Sequence, residues 1–155
     1  MNLLGGNIPE RQLDQFQNLI TKLYQCCQDR MRYQSERFSL PEAEMRCLLL
    51  FGDEKYLTPK GLAGKLNLVK SRISKLISGL NKKGLIQRVT DPVDSRTTLL
   101  CLTAAGHKKL NEIKKFLNDT HEEVLRQMEP EQRNTMMTNL ELLKASMESI
   151  KELMV

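Results

Sequence analysis

The 155-residue sequence lacks the marks of several large protein classes. No apolar run approaches the roughly 20 residues needed to cross a bilayer, so no membrane partner is expected. The opening residues, MNLLGGNIPERQ, hold no basic segment followed by a long apolar one, so no secretion signal is expected either. The four cysteines (Cys26, Cys27, Cys47 and Cys101) form no C-x-x-C pair. The two histidines, His107 and His121, have no ligand-type partner at helical spacing. Those gaps argue against a zinc site, and no metal or other cofactor is expected. Free thiols without a secretion signal place the chain in a reducing cytoplasm. There is no glycine-rich nucleotide motif, no nucleophile with an evident histidine partner and no catalytic pair of acids, so an enzyme is not expected. Internal repeats and low-complexity tracts are absent as well.

One further absence is local. From Lys55 to Val89 there is no acidic residue. Extended to Leu100, the segment holds ten Lys/Arg against two acids, Asp91 and Asp94, whereas the rest of the chain holds fourteen bases against seventeen acids. The net charge of +5 therefore belongs to one stretch of the chain. Concentrated positive charge is the footprint of a polyanionic partner, most often nucleic acid.

What is present is mostly helical periodicity. Leu13, Phe16, Ile20, Leu23 and Cys27 form one stripe of a long helix from Pro9 to about Arg37. Ser39 is a candidate N-cap for a short buried helix closing at Gly52. Thr58 can cap the next helix, with Pro59 at its first position. In VKSRISKLISGLNKKG, at about 100° per residue, Val69, Ile73, Leu76, Ile77 and Leu80 gather on one arc. Lys70, Ser71, Ser74, Lys75, Ser78 and Lys82 gather on the other. Gly84 fits the residue just past that helix. Two short helices joined at Leu66–Leu68 make a helix-turn-helix pattern. Thr103 is a candidate N-cap for a helix from Ala104 to about Met128. A last helix begins at Pro130, with Met136, Leu140, Leu143, Met147, Ile150 and Met154 as its stripe. The stripes at both ends of the chain favour a homodimer over packing within one chain.

Between the basic helix and Thr103 the pattern changes. GLIQRV (Gly84–Val89) and LLCLT (Leu99–Thr103) flank the polar segment TDPVDSRT, which reads as a β-hairpin. A hairpin directly after a helix-turn-helix is a winged helix. Its second helix suits the major groove, where base edges carry a distinct donor and acceptor code. Ser71, Ser74 and Lys75 are the candidate base-edge contacts; Lys70, Ser78 and Lys82 are candidate phosphate contacts. Arg72, at the edge of the apolar stripe, can reach a phosphate or pair with an acid, and Arg88 on the hairpin joins the candidate DNA-binding set. Arg96, near the hairpin tip, is placed for a minor groove, which attracts arginine when narrow. Asp94, two residues earlier, can point the same way and hold the guanidinium.

These residues carry a resemblance. L-T-x-x-x-L-A at Leu57, Thr58, Leu62 and Ala63 is followed by L-x-x-K-G-L-I at Leu80, Lys83, Gly84, Leu85 and Ile86. D-x-x-D-x-R at Asp91, Asp94 and Arg96 and L-T-x-x-G at Leu102, Thr103 and Gly106 complete the order. The run of about fifty residues resembles the winged helix-turn-helix of the MarR family, the multiple-antibiotic-resistance regulators. The resemblance implies a mainly α fold with a small β-wing and three segments. These are an N-terminal dimerisation helix (1–38), a winged helix-turn-helix (39–103) and C-terminal dimerisation helices (104–155). It also implies a homodimer that reads a pseudo-palindromic site on double-stranded DNA. The implied role is a transcription regulator, usually a repressor, released by a small ligand or by cysteine oxidation. In the family, the arginine matching Arg96 approaches the minor groove with the aspartate matching Asp94 in support.

Two residues depart from the family pattern. Gly61 stands where a glutamate is usual, which removes a capping box, and Ser95 stands where many members carry a further base.

Regulation is less legible. Peroxide-sensing relatives use a first-helix cysteine, which makes Cys26 and Cys27 candidates, with Lys22 or Arg30 at helical spacing to lower a thiol pKa. A small buried hydrophobe is the commoner fate of such residues, and Cys47 and Cys101 read as core. Tyr24, Arg30 and Cys47 are the candidates for a small aromatic or anionic effector. The alternative to DNA binding is a winged helix that serves as a protein-interaction module.

Overall fold

In a computed structural model of the chain, residues 5–154 are described. The outer ends of the two expected dimerisation segments, residues 1–4 and Val155, lie outside the described residues. The fold is mainly helical with one small antiparallel sheet, as the resemblance implies. Its elements run α1 (Glu10–Phe38), α2 (Glu42–Leu50), α3 (Pro59–Leu66), α4 (Lys70–Lys82), β1 (Ile86–Thr90), β2 (Thr98–Leu102), α5 (Ala104–Arg126) and α6 (Pro130–Glu152). The chain divides into a unit ending at Asn111 and a second beginning at Glu112.

In the first unit three helices end the same way, and the reason is legible as a tripeptide. F-S-L, L-N-L and K-G-L each place a residue in the left-handed region, Ser39 (φ 53), Asn67 (φ 52) and Gly84 (φ 71), followed by leucine. Each leucine N–H returns to a carbonyl five residues back: Leu40 to Ser35 at 3.1 Å, Leu68 to Ala63 at 3.1 Å and Leu85 to Leu80 at 3.0 Å. This satisfies carbonyls the helix leaves open and turns an apolar side chain back onto the fold. Leu40 and Leu85 are buried by it.

Ser39 thereby corrects an expectation. It is not the N-cap of α2 but the left-handed end of α1; α2 starts after Pro41 with no side-chain cap. Thr58 and Thr103 cap as expected. The Thr58 hydroxyl accepts the Gly61 N–H at 3.0 Å, so one half of the capping box survives the missing glutamate. The Thr103 hydroxyl accepts the Gly106 N–H at 3.0 Å and donates to the Gly84 carbonyl at 2.5 Å.

The core gathers Met45, Cys47 and Leu48 of α2, Leu62 and Leu66 of α3, Ile73, Leu76, Ile77 and Leu80 of α4, and Ile86, Leu100 and Leu102 of the sheet. Burying a side chain of this size contributes about 1.5–3 kcal/mol, so the apolar arc of α4 is firmly held. Val69, expected on that arc, is instead the exposed residue at which α4 begins. Strands β1 and β2 pair in register from Ile86 opposite Leu102 to Thr90 opposite Thr98. Leu57 adds a short third edge by exchanging backbone hydrogen bonds with Leu100 at 3.0 and 2.7 Å.

In the second unit, Pro130 opens α6 behind a capping box between Glu129 and Gln132. Arg133 Nε donates to the carbonyls of Leu125 and Met128 at 2.9 and 3.0 Å, which ties the turn between α5 and α6. No described residue of α6 is buried. Leu140, Met147 and Ile150 are about half exposed, as are Leu13, Phe16 and Leu23 along α1.

Candidate nucleic-acid interface

The basic helix presents the face its sequence implies. Lys70, Ser71, Ser74, Lys75, Ser78 and Lys82 are all exposed, while Ile73, Leu76, Ile77 and Leu80 are buried beneath them. The polar face therefore has a rigid apolar backing. Its chemistry is ammonium and hydroxyl with no carboxylate, suited to phosphate oxygens and base-edge acceptors. Arg72 is exposed as well, which leaves phosphate contact open to it.

The hairpin runs from a buried base at Ile86, Leu100 and Leu102 to an exposed tip, where Val93, Asp94, Ser95 and Arg96 are open to solvent. Two aspartates build the tip. Asp91 Oδ1 accepts the Val93 N–H at 2.9 Å. Asp94 Oδ1 accepts the Arg96 N–H at 3.0 Å, and Asp94 Oδ2 accepts the Thr97 hydroxyl at 3.1 Å. Asp94 thus supports Arg96 through the backbone rather than through the guanidinium, and no ion pair joins the two among the described residues. The expected charge-assisted contact loses to a tight turn that already uses both carboxylate oxygens. Arg88 lies exposed on β1 opposite Leu100.

The wing and α4 meet around a groove of about 640 Å³, lined among others by Thr58, Lys60, Lys70, Ser74, Thr97 and Thr98. Sequence reasoning assigned no contact role to Thr58, Lys60, Thr97 or Thr98. Lys60 was legible as part of the basic segment, but only the fold brings the start of α3 beside the wing.

A second missed feature is Glu44. This α2 carboxylate is 7% exposed and forms an ion pair with Lys83 Nζ at the end of α4. One helical turn on, Cys47 is fully buried. Burial, and then the Glu44 charge, pushes its thiol from an ordinary 9.0 up to about 12. A thiol held that firmly in its protonated form is a core group, and oxidation chemistry at Cys47 is disfavoured.

The other effector and redox candidates lie on α1. Cys26 and Cys27 are exposed, so burial is not the fate of these side chains within a single chain. Tyr24 is 64% exposed and Arg30 half-buried. No group of three or more His, Cys, Asp or Glu able to hold a metal ion occurs among the described residues. No helix among the described residues is long and apolar enough to cross a membrane.

Residues 40–98 match the model of the MarR family. The uncharacterized HTH-type transcriptional regulator YdgJ of Bacillus subtilis (strain 168) is 26% identical over 108 residues, 70% of this chain and 65% of the relative. The chain thus covers less than two thirds of that relative's length. Among solved structures, Streptococcus pneumoniae FabT in complex with DNA superposes with a TM-score of 0.78 at 20% identity, over 87% of this chain and 99% of FabT. A MarR family protein from Bacillus stearothermophilus reaches a TM-score of 0.78 at 20% identity, over 92% of this chain and 99% of the other. At those identities the likeness to the solved structures is one of fold.

Proposed function

We propose, for a chain whose residues 40–98 match the MarR family model, that it is a cytoplasmic transcriptional regulator of that family binding double-stranded DNA as a homodimer. The observation that carries this reading is the exposed, acid-free face of α4 beside a wing whose turn is fixed by Asp91 and Asp94. Ser71, Ser74 and Lys75 contact base edges in the major groove. Lys70, Arg72, Ser78, Lys82 and Arg88 contact phosphates, and Arg96 enters the adjacent minor groove. That FabT is known in complex with DNA supports the same use of the same fold here.

The half-exposed stripes of α1 and of α6 support self-association, since contiguous apolar surface of this kind favours burial against a partner. Two copies related by a twofold axis would read a pseudo-palindromic operator. Such a protein acts as a repressor, released by a small aromatic or anionic effector or by oxidation at Cys26 or Cys27.

Selection of bound fragments from random duplex DNA tests the reading. Enrichment of one inverted repeat, with binding that weakens steeply as salt rises, is the expected result. Fragments recovered without any common site would contradict sequence-specific recognition. A screen of aromatic anions and peroxide on the selected site then identifies what releases it.

A further inference from the structure

Burial of Ile73, Leu76, Ile77 and Leu80 decides which face of α4 looks outward, but apolar contacts are non-directional. They hold the helix against the core without a directional bond along its axis, and a recognition helix needs its register fixed. One polar contact supplies direction. Glu44 of α2 is almost fully buried and ion-paired to Lys83, the residue that closes α4.

The same carboxylate lies against Gly79, where an added Cβ would overlap Glu44 Oε1. A glycine inside a helix costs stability relative to alanine. At position 79 that cost is explained by the notch it leaves, which receives the Glu44 head. Notch and ion pair together grip the last turn and a half of α4 from one side. The gripped residues follow directly on Ser78 and lie one turn beyond Lys75, two of the candidate DNA contacts.

We infer that Glu44 is a positioning residue for DNA recognition: seated in the Gly79 notch and paired with Lys83, it sets the register of α4 on α2. The inference rests on the proposed DNA-binding function. It makes site preference, rather than general affinity, depend on a side chain outside the proposed DNA contacts.

The test separates positioning from plain stability. Glu44 is buried while Lys83 stays partly exposed, and replacing both by apolar residues leaves neither charge unpaired, so Glu44→Met combined with Lys83→Met is expected to keep the thermal midpoint. Binding is measured for wild type and variant on the selected site and on random duplex, and amide hydrogen exchange is followed along α4 without DNA. The ratio of specific to random binding is expected to fall about tenfold, with faster exchange at residues 79–83. If the double variant does not fold, Glu44→Gln carries the same comparison. An unchanged ratio with unchanged exchange would make the pair merely structural and overturn the inference. If wild type itself binds no duplex, the functional reading fails instead. The exchange data then still decide whether Glu44 holds α4: faster exchange supports that part, and equal exchange overturns it.

Discussion

Asp94 accepts the backbone N–H of Arg96 at 3.0 Å, so the wing arginine is positioned by the turn it sits in, not by a grip on its charge. Asn can accept the same N–H; Ala cannot. Asp94→Asn is therefore expected to retain most of the affinity for the selected site. Asp94→Ala should lose an amount approaching the effect of Arg96→Ala, about 1–3 kcal/mol. Equal losses in Asp94→Asn and Asp94→Ala, measured by fluorescence anisotropy, would restore the guanidinium contact.

Gly106 is fixed by packing. A Cβ there would overlap the Leu85 carbonyl oxygen, whose partner is the Thr103 N–H at 3.1 Å. Glycine to alanine in a helix ordinarily stabilises. Gly106→Ala is expected to do the opposite, by about 1–3 kcal/mol, because backbone must shift to admit the methyl group. Denaturant unfolding gives the sign directly.

Cys47 couples stability to alkaline pH. Its folded-state pKa of about 12 lies above the ordinary 9.0, so the folded chain keeps a proton that the unfolded chain releases. The resulting stabilisation is complete below pH 9 and is lost as pH rises from 9 towards 12. Across that window wild type should lose stability more steeply than Cys47→Ala. Parallel curves would show that the thiol does not contribute.

Self-association is expected to depend on the half-exposed stripes. Leu140→Glu in α6 and Phe16→Glu in α1 each place a charge within apolar surface. Each variant should sediment as a monomer where wild type sediments as a dimer, and each should lose affinity for the full inverted repeat. A dimeric double variant would remove these stripes from the interface.

Much of this was legible because local rules and the fold agree. The period of α4, the caps at Thr58 and Thr103, and the glycine ending at Gly84 each follow from neighbouring residues. Ser39 misled because serine is a favoured helix start and an uncommon left-handed helix end, and only the following leucine, buried by the turn, marks the ending. Val69 continued the apolar period of α4 but stands just before the helix as its N-cap, outside the part of that face the core covers. Glu44 and Lys83 lie thirty-nine positions apart, and no spacing rule links them. Their pairing depends on how α2 crosses α4, as does the reason for Gly79. At the tip of the wing Asp94 bonds backbone rather than the expected guanidinium, since period-two geometry does not apply within a tight turn.

In the proposed complex the basic face of α4 lies against duplex phosphates. The most direct measurement is the slope of log affinity against log salt on the selected site, for wild type and for Lys70→Ala combined with Lys82→Ala. Each phosphate contact contributes about −0.9 to that slope. In a dimer the variant is expected to be shallower by about 3 to 4, with its fold intact. A wild-type slope near zero, or one unchanged by losing both lysines, would contradict the account.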